Sequence, residues 1–233
     1  MSNDRIFRAF INPLQFLQME DTLQSGSNNE LTSDSIVSFL CTPNMDCDSE
    51  SLKKRYALIN DPKNYLLAAP ADERILKKLI WPLRQAKGNF MLGNYLSTIS
   101  LSGLVGEMVA ILLFDINEIK LNETLLSEKD QINKFGATFE KLGQRKRLDV
   151  LLSFRIIDNE LKKEFNNIRE IRRKYLHFWS QEHSNIQSDA NAAFQSAVKI
   201  VLNLIGQNIK QGKILVNPVF QKYLEKLGLL NNV

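Results

Sequence analysis

Two histidines, His177 and His183, occur in 233 residues, so imidazole acid/base chemistry in this chain has two candidates. Imidazole gains and loses its proton near neutral pH, which suits it to proton transfer at a reacting centre. His183, in SQEHSN, reads as a surface loop residue. His177 stands five positions after an arginine in the run Arg172, Arg173, Lys174, Tyr175, Leu176, His177. On an ideal helix, at about 100° per residue, Arg172 joins Leu161, Phe165, Ile168, Tyr175 and Trp179 on one stripe, a place where an apolar residue is expected. A charge there needs an anion. Glu107, set among Leu104, Met108 and Ile111 in the most apolar part of the chain, offers one, and the two side chains are expected to meet. The pair reads either as a structural tie between two helices or as part of a catalytic group. His177 lies about 140° around the helix from Arg172, and Arg173 is its i+4 neighbour at about 40°. The two meet at one ligand only if the arginine wraps around, the helix end is distorted, or a second subunit contributes.

The words IRRKYLHFW at residues 171–179 resemble the Arg-x4–6-His motif of the HEPN superfamily, typically spelled IRNKYAH. The resemblance covers roughly residues 72–210, with a long apolar helix before the motif and an Ala-rich helix after it. It implies an all-α, HEPN-like helical bundle with an antiparallel up-and-down core. In activity it implies a metal-independent endoribonuclease without cofactors, acting on RNA as a homodimer whose two motifs face a shared cleft. His177 would then act as general acid or base on the RNA 2′-hydroxyl or the leaving oxygen, Arg172 would hold the scissile phosphate, and Glu107 would orient Arg172. Such proteins serve toxin–antitoxin, anti-phage or stress systems, which adds an antitoxin or other protein as a further partner. In this chain Arg173 stands where the family usually has a small polar residue after the arginine. That departure keeps a second reading open: a catalytically inactive module binding RNA, nucleotides or proteins through the same surface. A purely structural dimer is the third.

The formal charge of +4 is compatible with nucleic acid without requiring it. Arg145, Lys146 and Arg147 form a run in KLGQRKR that reads either as a track for a nucleic-acid backbone or as a solvated face. Arg169, Arg173 and Lys174 make the motif helix itself basic around the expected cleft. Tyr175, Phe178 and Trp179 read as core or dimer-interface aromatics.

These residues must be positioned by helices. Apolar residues make up 44% and charged residues 24% of the chain, which fits a globular protein with a real core. Residues 1–70 are rich in Ser, Asn and Asp and read as a loosely ordered extension with short apolar pieces at 7–16 and 36–40. Residues 71–233 read as one helical domain. The expected helices run over about 72–87, closed by Gly88, and over 91–116, apolar on nearly every face and central. Gly103 and Gly106 in the latter would admit a close neighbour. A shorter pair follows over 129–152, parted near Gly143. Three more are expected: one from an Asp158 N-cap to about Trp179, one from a Ser188 N-cap to about 209, and one over 217–227 ending at Gly228. No alternation supports a sheet. MSNDRIFRAF carries charges where a signal peptide needs an apolar stretch, and Leu101 to Phe114, broken by Glu107, falls short of the roughly 18 apolar residues of a membrane span. The expected place is the cytoplasm. Cys41 and Cys47 read as reduced bystanders with no metal-ligand spacing.

Overall fold

The computed structural model describes residues 48–61, 72–121, 123–177, 180, 182–206, 208–210 and 213–228. The chain divides into two units, Met1–Cys47 and Asp48–Val233, of which the second is described below. The apolar pieces at 7–16 and 36–40, Cys41, Cys47, Phe178 and Trp179 lie outside the described residues.

Among the described residues eight helices order this unit, with two short hairpins between them. Helix α1 (Ser49–Ile59) starts at an Asp48 N-cap, whose carboxylate accepts from the Glu50 and Ser51 amides at 2.8 and 3.0 Å. This helix falls in the span that the composition assigns to a loose extension. Its order comes from two anchors that local composition does not show: Ile59 is buried in the core, and the Arg55 Nε donates to the Met91 carbonyl at 2.6 Å. Helix α2 is α-helical over Glu73–Ile75 and Trp81–Met91, with a π-helical turn over Leu76–Ile80 between them. It runs through Gly88 instead of closing there. The stop comes after Leu92, where Gly93 takes a φ of +83° that only glycine adopts without strain.

Helix α3 (Tyr95–Ile116) begins at Asn94, whose side chain accepts from the Ser97 amide at 3.3 Å. Ten of its residues are buried, distributed around the axis as expected for a helix with neighbours on several sides. At 22 residues, with a mean hydropathy of 1.9 over its most apolar window, it is long and apolar enough to cross a membrane, although half of that window is buried inside the unit. The stretch from Leu101 to Phe114 falls short of that length by itself; the full helix does not, because it starts at Tyr95 and tolerates Glu107 within it. The segment β1 (Lys120–Leu121) pairs antiparallel with β2 (Thr124–Leu125).

Helix α4 (Glu128–Phe135) opens with a capping box between Ser127 and Asp130 and closes at Gly136, φ +86°. A 3-10 turn over Phe139–Lys141 leads into α5 (Gln144–Ser153). Helix α6 (Asn159–Leu176) carries the motif and is capped at Asp158, which accepts from the Leu161 amide at 2.7 Å. Helix α7 (Ile186–Ile205) starts two residues before Ser188. That residue is no N-cap; its hydroxyl donates to the Asn185 carbonyl at 2.9 Å. Helix α7 is followed by Gly206 in the left-handed region and by the hairpin of β3 (Asn208–Lys210) with β4 (Lys213–Leu215). Helix α8 (Pro218–Lys226) completes the unit.

Helix α3 packs against α2, α5, α6, α7 and α8, which makes it the centre of the assembly. Ala190, Ala193 and Ala197 of α7 are fully buried, and their small side chains let α7 come close. Ala192, Val198 and Leu202 stand at the edge of this face and are only partly buried. A polar seam also joins α6 to α7. The buried Ser196 hydroxyl donates to Glu164 at 2.6 Å and accepts from Asn167 at 2.9 Å, while Lys199 donates to Glu164 at 3.0 Å. Burial pushes the Glu164 carboxyl upward, but the hydrogen bonds from Ser196 and Lys199 and the Lys199 charge outweigh it. Glu164 therefore titrates below the usual carboxylate range.

Candidate active-site cleft

Helix α6 lays Leu161, Phe165, Ile168, Ile171 and Tyr175 into the core, at the spacing of one helical face. Arg172 stands on the same face and needs a route out. Gly103 of α3 provides it: a Cβ at Gly103 would lie 2.6 Å from the Arg172 Cδ and 3.3 Å from its Nε. The arginine stem crosses α3 where no side chain stands, and the guanidinium emerges to an ion pair with Glu107, through Nη1 and Oε1. At Gly106 a Cβ would make only ordinary contact, 3.5 Å from Ile168 and 3.8 Å from Phe165.

The pair is not sealed in the core. The Arg172 and Glu107 side chains keep 35% and 31% of their exposure, so the stem is covered and the charged heads reach solvent. The Arg172 Nε is a covered donor with no hydrogen-bond partner among the described residues, as is the Arg169 Nε. Both heads of the pair line a cleft of about 340 Å³ together with Gly103, Gln144, Arg169 and Arg173. His177 lines the same cleft. Helix α6 ends at Leu176, and His177 is its C-cap, with φ −123° and ψ −16°. The backbone leaves the helical region at His177, the last residue of the motif and a lining residue of the cleft. Gln144 is the lining residue that spacing does not reveal, because the turn before α5 brings it in from outside the motif.

The remaining basic residues divide into three groups. Arg169 and Arg173 line the cleft; Arg169 also pairs with Glu170 at 2.6 Å, and Arg173 lies 4.0 Å from that carboxylate. Arg145 and Lys146 are exposed and border a second cleft beside the first. Arg147 and Lys174 depart from the nucleic-acid-binding expectation. Arg147 is 8% exposed, and its guanidinium donates to the Phe139 carbonyl at 3.2 Å and to the Glu140 carbonyl, holding the 3-10 turn against α5. It adds to the Leu142 amide that also donates to the Phe139 carbonyl, at 3.2 Å. Lys174 turns away from the cleft to Asp189 of α7 at 2.8 Å, and the Tyr175 hydroxyl donates to the same carboxylate oxygen at 2.7 Å. Burial pushes the Asp189 carboxyl up, but the hydrogen bonds from Lys174 and Tyr175 and the Lys174 charge hold it below the usual range. His183 is exposed, its ring edge-on to Tyr175 at 5.4 Å between centroids. Among the described residues no three His, Cys, Asp or Glu side chains gather into a metal-binding group.

Comparisons of this chain with protein-family models, with curated proteins and with solved structures found no match. The chemistry of the cleft therefore rests on its own geometry: one imidazole, one anchored guanidinium and two further arginines around a space of small-molecule size, open to solvent.

Proposed function

We propose that this protein is a metal-independent endoribonuclease of the HEPN type, with the cleft of α3, α5 and α6 as its active site. The single observation that carries the reading is that Arg172 and His177 line one cleft although a straight helix would turn them apart. Guanidinium binds phosphate oxygens in a fork, and Arg172 enters that role pre-oriented by Glu107 and by the gap at Gly103. In the proposed reaction His177 takes the proton of the 2′-hydroxyl, or gives one to the leaving oxygen. The 2′-oxygen attacks the adjacent phosphorus, the bond to the 5′-oxygen breaks, and the products are a 2′,3′-cyclic phosphate and a 5′-hydroxyl. A second copy of the chain across the cleft would supply the other proton-transfer group, in keeping with the homodimer expected from the motif. A role in a toxin, anti-phage or stress system, with an antitoxin or other protein partner, belongs to the same proposal.

The test is cleavage of single-stranded RNA by the purified full chain in EDTA. The wild type is expected to cut and His177→Ala to lose at least about a hundredfold of the rate, the scale of general acid/base catalysis. The mutant should melt as the wild type does, because His177 is exposed. Equal cutting by both proteins defeats the proposal.

A second reading is supported by the Glu107 carboxylate, which already neutralises Arg172. On that reading the cleft holds RNA or a nucleotide without cutting it, and the wild type is inert in the cleavage assay but retards RNA in a salt-sensitive way.

A further inference from the structure

Beside the active-site cleft lies a second one, of about 570 Å³, between the α4–α5 connection and α6. The two share Gln144 and Arg169 as lining residues, so they lie side by side. Lys141, Arg145, Lys146 and Arg169 line the second cleft, and among the described residues no acidic side chain lines it. Among the same residues Lys141, Arg145 and Lys146 form no ion pair. Arg169 is held by Glu170, which leaves three cations around a concave space that repel one another and favour an anion within it.

The backbone adds to this charge. Helix α5 opens into the cleft, its N-cap is Gly143, and no side chain caps its first amides. Its first turn carries Arg145 and Lys146 where the helix dipole favours acids. That arrangement is unfavourable for the helix alone and favourable for a bound anion. A Cβ at Gly136 or Gly143 would meet nothing within 4 Å, so the backbone stands open to the space at both glycines.

We infer that this second cleft binds a neighbouring phosphodiester of the same single-stranded RNA whose scissile phosphate lies at Arg172 and His177. The inference rests on the reading of the first cleft as an RNA site. It assigns the substrate class as a strand several nucleotides long, in place of a mononucleotide, and makes Arg145 and Lys146 binding residues with no part in proton transfer.

The experiment uses the full chain, a fluorescein-labelled, 2′-O-methylated eight-nucleotide RNA that resists cleavage, and anisotropy titrations at several KCl concentrations. Cleavage of the unmodified RNA is followed in parallel. The double variant Arg145→Gln, Lys146→Gln is expected to bind about tenfold more weakly at low salt. Its plot of log affinity against log salt should be shallower by about 0.7 for each phosphate that the protein no longer neutralises. Arg145→Lys with Lys146→Arg keeps both charges and should keep the wild-type slope, which separates removal of charge from failure to fold. A glutamine variant with wild-type affinity and slope overturns the inference even if the protein cuts RNA. A reduced slope in a protein that does not cut sustains the second cleft and removes the nuclease reading. Absence of RNA binding by the wild type overturns both.

Discussion

The Arg172 side chain crosses α3 over Gly103, where a Cβ would stand 2.6 Å from its Cδ. Gly103 and Glu107 are one helical turn apart, so one residue clears the path for the arginine and the next receives its charge.

Gly103→Ala is therefore expected to displace Arg172 from Glu107. Overpacking against the middle of a side chain costs about 1–3 kcal/mol, and RNA cleavage or binding should fall with it. Gly106→Ala meets only ordinary contacts and gains up to about 1 kcal/mol of helix propensity, so it should melt at or above the wild-type temperature. Thermal melts of both variants, with an activity assay on each, check the contrast.

The ion pair itself should contribute little to stability. Its heads are about one-third exposed, and such pairs are worth about 1 kcal/mol or less. A double-mutant cycle on Arg172→Met and Glu107→Gln should give a coupling of that size, measured by denaturant unfolding. The sequence, which places this charge among apolar neighbours, leads to a larger figure. A coupling of several kcal/mol would show that the heads are more enclosed than the structure has them.

Arg147 and Lys146 should behave in opposite ways despite being adjacent. Arg147→Ala leaves the carbonyls of Phe139 and Glu140 without their guanidinium and is expected to cost about 2–3 kcal/mol. Lys146→Ala should leave stability within about 0.5 kcal/mol of wild type and weaken RNA binding. Unfolding curves paired with salt-dependent binding distinguish the two.

The α6–α7 seam should weaken in acid. Glu164 titrates lower in the folded protein than its ordinary value of 4.5, so the folded state binds fewer protons than the unfolded one near that pH. The stabilisation is fully present above about pH 4.5 and is lost as the pH falls through the lowered folded value. Asp189 acts in the same direction below its ordinary 3.8. Glu164→Gln should flatten the fall in melting temperature over this acid range and cost about 1 kcal/mol near neutrality. An unchanged acid profile in the variant would place the carboxylate outside the seam.

Most helices are legible in the sequence because their signals are local. Asp158 caps α6 through its own side chain, the apolar stretch over 91–116 marks α3, which begins four residues later at Tyr95, and Asn217 and Gly228 bracket α8. Helix α1 is not legible, because Ser, Asn and Asp around it read as loop and its order depends on Met91 and the core. Gly88 misleads for the opposite reason: packing on both sides of α2 outweighs the small helix penalty of one glycine.

At the site, residue types and spacing alone determined three things: the two histidines, the arginine five positions before one of them, and the need of Arg172 for an anion that Glu107 could meet. Tertiary structure alone decided where the charges go. Glu107 and Arg172 are 65 positions apart, and only the packing of α3 on α6 brings them together over Gly103. In the run Arg145, Lys146, Arg147 the chain offers three equal cations. The seat of α5 against the 3-10 turn sends one inward to backbone carbonyls and leaves two at a cleft. Lys174 is taken by Asp189 through the meeting of α6 with α7. The physical reason is the range of the forces: caps and helical periodicity act within a few residues, whereas the pairing of a charge depends on which surface the fold lays beside it.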